Sequence, residues 1–332
     1  MKSIKSLKNT SIIISILFVM LATSCATTLH LDITRPAELD LNGASSIAVL
    51  PFGTTGYSNK KFSGGRYPVL DFFVSMLHED PEQRDFVNYM HKSLESNFAT
   101  SNYLKLINSE SVKAALDRGV DSPADVYVTG KLGSFKSEVV SEIRKVKKGE
   151  KTVAVEVFYR KASYTFEYQI VDGNTSTVYY SSYISGSATS DDFADKRDIP
   201  SELTMFRSSI DNEMAAIVRK VQPYNVSKSI SLLKDRSKNP KMEEANKLAK
   251  NGMIEQSREM FASVYNSTGL FEAGYNTAAI LEAQGKYTEA RDLAQELVQK
   301  SSDKKALRLL NDIDYEISMN EKLQKQNEAR GK

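Results

Sequence analysis

The segment SYTFEYQIV, residues 163–171, decides the fold of the first two thirds of the chain. Tyr164, Phe166, Tyr168 and Ile170 fall on one face of an extended strand, while Thr165, Glu167 and Gln169 fall on the other. VDGNTST (171–177) then supplies an Asp-Gly turn, and VYYSSYISGSA (178–188) returns as the hairpin partner. The same period of two runs upstream. Val153, Val155 and Val157 alternate with polar neighbours, as do Val126, Val128 and Leu132. KVKKGEK (145–151) reads as the charged tip of a further hairpin.

Before Asp125 the pattern changes. Ile47, Ala48, Val49 and Leu50 form an unbroken apolar run stopped by Pro51, as expected of a strand buried on both faces. A polar surface excursion with Gly64, Gly65 and Pro68 follows. Phe86, Met90, Leu94 and Phe98 recur every four residues, with Val87 beside them, and predict a helix over 82–100. YLKLIN (103–108) reads as a second strand. Ser109 is expected to cap a short helix that ends at Gly119. After the strands, Leu203, Phe206, Ile210, Met214, Ile217 and Val221 predict a last helix over 201–222, stopped by Pro223. The expected class is α+β, an α/β sandwich with a mixed sheet.

From about residue 224 everything reads as helical. NGMIEQSREMFASVYN (251–266) and QGKYTEARDLAQELVQK (284–300) align without a gap at a period of 33. Gly252 matches Gly285, Ile254 matches Tyr287, Ser257 matches Ala290, Phe261 matches Ala294 and Val264 matches Leu297. Helices over 226–250 and 303–325 are expected to cover the ends. The polar terminus EKLQKQNEARGK is expected to fray into solvent.

The amino terminus carries an address. Lys2, Lys5 and Lys8 precede SIIISILFVMLA (11–22), an uncharged run too short to span a bilayer and matched to a signal-peptide core. Cys25, the sole cysteine of 332 residues, follows directly. MLATSC resembles the lipobox of bacterial lipoproteins, in which the cysteine is acylated and begins the mature chain. Ser24 fits that pattern, whereas Ala22 stands where Leu is usual and Leu21 lies one place further back. Ordinary cleavage after ATS (22–24) is the competing reading. The sequence thus divides into a signal peptide (1–24), a lipidated tether (25–44), an α+β domain (45–223) lying near the membrane and a helical repeat domain (224–332).

RPAELDLNGASSIAVLPF (35–52), with the order of elements behind it, resembles the periplasmic domains of the CsgG, LpoB and TolB amino-terminal group. The 33-residue period resembles the tetratricopeptide repeat, with AGYNTAAILEAQG (273–285) as the first helix of its better-preserved unit. These resemblances imply a lipoprotein of the bacterial envelope, anchored at Cys25 to the outer membrane and facing the periplasm. They imply binding to other envelope proteins through the concave surface of the repeat domain, and carry no catalytic residue.

Composition excludes other classes. Hydrophobic residues make up 41% and charged residues 26%, and the formal charge is only +2, so no field for nucleic acid is implied. The histidines, His30, His78 and His91, are scattered. HEDPEQ is not HExxH, and GTTGYSNKK lacks the G-K-[ST] end of a phosphate loop. No nucleophile stands beside a base, and no metal site or cofactor is expected. His91 reads as a solvated residue beside its helix's apolar stripe.

Candidate partner-binding residues are Tyr275 and Asn276 on the repeat and Tyr179 and Tyr183 on the Tyr-rich hairpin, where the plainer reading is a sheet face shielded by rings. EIRKVKKGEK (142–151) could touch anionic lipid or the cell wall, with a solvated tip as the default. A subunit of an oligomeric, CsgG-like secretion complex is the alternative function.

Overall fold

The structure is a computed structural model that describes residues 27–54, 80–101, 103–235 and 237–331. The segment read as a signal peptide, Cys25, His78 and the glycine-containing excursion lie outside the described residues. The chain divides into two compact units. One holds Pro36–Tyr224 and Leu323–Lys332; the other holds the chain up to Arg35 and Asn225–Lys322.

The first unit is built on a five-stranded mixed sheet of order β3-β2-β4-β5-β6. Its strands are β2 (Ser46–Val49), β3 (Lys105–Leu106), β4 (Val126–Lys148), β5 (Lys151–Asp172) and β6 (Val178–Thr189). β2 runs parallel to both β3 and β4, and the remaining pairs are antiparallel. Two helices, α1 (Pro81–Ala99) and α3 (Glu202–Val221), cover one face. Their four-residue stripes supply Phe86, Met90, Leu94 and Phe98 from α1 and Phe206, Ile210, Met214 and Ile217 from α3. These meet Val126, Val128, Tyr164, Phe166, Tyr168 and Ile170 in one core. The alternation at 164–170 therefore points into that core. Tyr164 stands edge-on between Phe86 and Phe206, with centroids 4.9 and 5.0 Å away.

α2 (Ser109–Arg118) sits on the opposite face. There Val112 and Leu116 pack on Ala48, Leu50, Tyr127 and Val171. The run 47–50 is thus buried on both sides, as its unbroken apolar sequence requires. The cap of α2 is Asn108 rather than Ser109. Its side chain accepts from the N–H groups of Glu110 and Ser111, and Gly119 closes the helix at φ 69°. Asp125 ties the sheet's entrance: its Oδ2 accepts from the backbone and hydroxyl of both Ser45 and Ser46 at 2.8–3.0 Å.

The expected Asp-Gly turn is a longer loop. Asp172 accepts from the N–H groups of Asn174 and Thr175, and Ser176 takes the left-handed conformation at φ 57°. At the other hairpin the tip is a two-residue turn at Gly149 and Glu150, as read from KVKKGEK.

The second unit holds α4 (Pro240–Lys250), α5 (Ile254–Thr268), α6 (Phe271–Ala283), α7 (Tyr287–Lys300) and most of α8 (Lys304–Ala329). The 33-residue period is physical. Gly252 and Gly285 turn the chain at φ 77° and 73°, α5 and α7 start at Ile254 and Tyr287, and the matched pairs further on are all buried. Ser257, standing where the other unit has alanine, is tolerated because its hydroxyl donates to the Ala245 carbonyl at 2.8 Å.

Three expectations change here. Residues 224–231 are a strand, β7 (Tyr224–Ser231), rather than the start of a helix, and it pairs with β1 (Thr28–Arg35) in a two-stranded sheet. The segment read as a tether is therefore partly a structural strand of the helical unit. Its alternation places Leu29 and Leu31 on the helices beside Ile230 and Leu232. The terminus does not fray. Gln326 is buried, pairing with the N–H and carbonyl of Ala37, and Arg330 stacks 4.1 Å from the Tyr103 ring centre.

Candidate functional site

The side of the helical unit that faces β1 and β7 contains a cluster of buried charge. Arg35 and Lys228 stand at inward-facing positions of their strands. Arg35 makes a two-pronged contact with Glu316 of α8, both bonds 2.7 Å, and Lys228 donates to Glu316 at 2.6 Å and to Glu282 of α6. Two cations thus meet two buried carboxylates, Glu282 and Glu316. Burial pushes the Glu282 carboxyl up, with Lys228 opposing. Burial also pushes Glu316 up, but Arg35 and Lys228 outweigh it and hold its carboxyl below the usual range. Lys228, drawn down by burial, is held up overall by its two glutamates. A lysine between glutamates resembles a proton-transfer site, yet each charge here has its opposite within bonding distance. The cluster fastens strands to helices. Nothing in the spacing of the sequence pointed to it, because the pairing of β1 with β7 brings together residues far apart in the chain.

The two residues expected on the repeat's binding face are used internally. Asn276 is fully buried: its Oδ1 accepts from Leu233 N at 2.6 Å and its Nδ2 donates to Leu233 O at 2.9 Å. It is not available to a partner. Tyr275 is half-buried against the helical core, its ring 6.2 Å from that of Phe271.

On the α+β unit the Tyr-rich hairpin splits. Tyr179 is half-buried and donates to Asp172 Oδ2 at 2.7 Å, and Tyr180 lies under Lys220, 4.5 Å from the ring centre. Tyr183 is 70% exposed, opposite Glu167 on the face of the sheet away from α1 and α3. Beside it run Ser163, Thr165, Ser185 and Ser187, with Lys131, Lys136 and Lys161. A shallow groove of about 490 Å³ crosses these strands near Lys136, Glu138, Lys161 and Ser187.

The feature that sequence reasoning underestimated is the length of the β4–β5 hairpin. The two strands pair without interruption from Ser134 and Thr165 to Lys148 and Lys151. β6 stops at Thr189 opposite Lys161; beyond it Ser190 N donates to the Arg160 carbonyl at 2.9 Å, and Phe158 and Phe193 form a bridge. The outer part, about residues 142–157, is thus a two-stranded ribbon, with no other described strand along β4 there. Seven residues per strand reach roughly 23 Å. Ile143 is 74% exposed, and Val139, Val146 and Val153 are each 42% exposed. Val146, Val153, Val155 and Val157 lie on one face by register, beside Glu142 and Arg144.

Among the described residues no group of histidine, cysteine, aspartate or glutamate is arranged to hold a metal ion. His91 is half-buried rather than solvated. Its Nε2 donates to the Val49 carbonyl at 3.0 Å, and the Phe52 ring meets it edge-on. His30 faces Ser229 Oγ at 3.0 Å. No described helix is long and apolar enough to cross a membrane.

The fold defines an α+β protein with a carboxy-terminal helical region. The chain matches no family model and no curated protein. Solved structures resemble part of it. The PelC dodecamer of Paraburkholderia phytofirmans is 11% identical, covers 59% of this chain and 98% of its own, and has a TM-score of 0.27. A hypothetical protein of Chlamydia trachomatis is 13% identical, with 53% and 96% covered and a TM-score of 0.27. The lipoprotein GNA1162 of Neisseria meningitidis is 9% identical, with 52% and 99% covered and a TM-score of 0.26. Similarities of this size assign neither family nor function.

Proposed function

We propose that this is a lipid-anchored envelope protein without catalytic activity, which binds other envelope proteins through the β4–β5 ribbon. The observation that carries the reading is the exposure of Ile143 and its neighbouring valines on an arm that no described element covers. Exposed apolar side chains on the ribbon suit capture of a partner, against the face that carries Ile143 and Val139, against the valine face, or along an open strand edge. The helical unit, read as a tetratricopeptide-like repeat, contributes through its outer surfaces, since Tyr275 and Asn276 are committed inside. Cys25 supplies the anchor, and the outer membrane facing the periplasm is the compartment.

The test is a photo-crosslinking residue at Ile143 in intact cells. Discrete protein adducts are expected, and Ile143→Asp should abolish co-purification while leaving the melting temperature unchanged. Absence of any adduct would overturn the reading. For the anchor, a Cys25→Ser chain should leave the membrane fraction after a high-salt wash; retention after that wash would defeat it.

A second reading makes the chain a subunit of an oligomeric outer-membrane transport complex. The length of β4 and β5, 23 and 22 residues, favours it. Glu142 and Arg144 on the valine face oppose it, because a lipid-facing strand needs a sustained apolar band. A detergent-extracted ring of many copies would select this reading over the first.

A further inference from the structure

The register of β4 against β5 gives the ribbon two faces of different character. Glu142, Arg144, Val146, Val153, Val155 and Val157 share one of them. Its charges are engaged: Arg144 pairs with Glu142 at 3.1 Å and with Asp192. Its valines are at most 42% exposed.

Ile143, Lys145 and Lys147 alternate onto the other face, with Val139 at its base. Ile143 is 74% exposed, more than any other large apolar side chain described. Opposite it, Glu156 accepts from Ser141 Oγ at 2.6 Å. Lys145 and Lys147 are exposed and form no ion pair with a described residue. Glu150, the remaining acid near them in the chain, belongs to the turn. This face therefore joins an exposed apolar side chain to two cations that the ribbon itself does not neutralise.

We propose that the Ile143 face, and not the valine face, is where the ribbon takes its partner, and that the partner is a protein segment carrying acidic side chains beside an apolar one. The inference rests on the ribbon reading above and gives it a face and a partner chemistry. The partner's apolar side chain covers Ile143, and its carboxylates meet Lys145 and Lys147 at the rim, where complementary charge fixes register and excludes wrong partners. The lysines lie two and four residues beyond Ile143, about 7 and 13 Å along the strand. An extended segment aligned with β4 would match them with acids spaced two residues apart. A bilayer suits the ribbon less, because entering it would also bury Glu142, Arg144 and Asp192.

The test places a photo-crosslinking residue at Ile143 or at Val153 of the full chain in intact cells and maps the partner peptide in each adduct. Peptides joined at Ile143 should carry acidic side chains within a few residues of the crosslink, and Val153 should give few adducts or none. Adding K145E, K147E should lower the Ile143 adduct by about tenfold, and reversing the mapped acids to lysine should restore it. The K145R, K147R variant, which keeps the charge, should match the parent. An adduct undiminished by K145E, K147E, a mapped segment without acids, or stronger adducts from Val153 would each overturn this inference and leave the ribbon reading standing. Absence of adducts from both positions, or a phospholipid in place of the protein, would defeat both.

Discussion

At the scale of single residues, buried polar groups do the specifying. Asn276 makes two bonds to one backbone position from inside the helical unit. Asn276→Ala leaves the N–H and carbonyl of Leu233 unpaired and should cost about 2 kcal/mol in urea unfolding. The sequence offered Asn276 only as a polar residue on a repeat helix, and polarity there suggested a partner. What the sequence lacked was the strand end that lies against it. Asp125 and Glu316 contribute to the response to acid. Burial raises each carboxyl, but the Ser45 and Ser46 donors around Asp125, and Arg35 with Lys228 around Glu316, leave both below their ordinary values. A carboxyl depressed in the folded state binds its proton more readily when unfolded. The stability it contributes is present above the ordinary carboxylate range and is lost as pH falls through the folded value. Melting temperature should therefore drop from about pH 5 to about pH 3. Asp125→Asn should flatten part of that slope. Glu282, raised by burial, acts with the opposite sign and moderates the fall.

At the scale of elements, most boundaries were legible because they are set locally. The stripes of α1 and α3, the left-handed Gly119 after α2 and the turns at Gly252 and Gly285 all follow from side-chain spacing and backbone conformation. Strands whose partners are distant were harder. β7 was read as helix because YNVSKSIS alternates weakly, with a lysine at an inward position that only Glu282 and Glu316 justify. Packing between helices makes a further prediction. At Gly274 on α6 a Cβ would lie 2.8 Å from Leu297 Cδ2 on α7 and equally close to the Tyr265 ring on α5. Gly274→Ala should destabilise the helical unit by about 1–3 kcal/mol in thermal unfolding, although alanine is the better helix former.

At the scale of the whole molecule, chain order and unit membership diverge. β1 lies some two hundred residues from its partner β7, yet belongs with the helices. Deleting residues 27–35 leaves every helix of the second unit intact in sequence. It removes Leu29, Leu31 and Arg35 from their places and leaves Glu316 short of a cation. Limited proteolysis should then cut within 225–322 much faster than in the parent chain, while Pro36–Tyr224 keeps its resistance. Unchanged resistance across both would show the strand to be dispensable.

The sequence alone determined the α+β class, the helical period of 33, the hairpin tip at Gly149 and the cysteine beside an apolar leader. Each is a local matter of periodicity, turn conformation or composition. Tertiary structure decided the rest: that β1 closes the helical unit, that Tyr275 and Asn276 face inward, and that a long stretch of β4 and β5 has no cover. Those outcomes depend on which distant segments meet, and the pairing of Thr27 with Leu232 or Lys228 with Glu316 leaves no trace in the spacing of either partner.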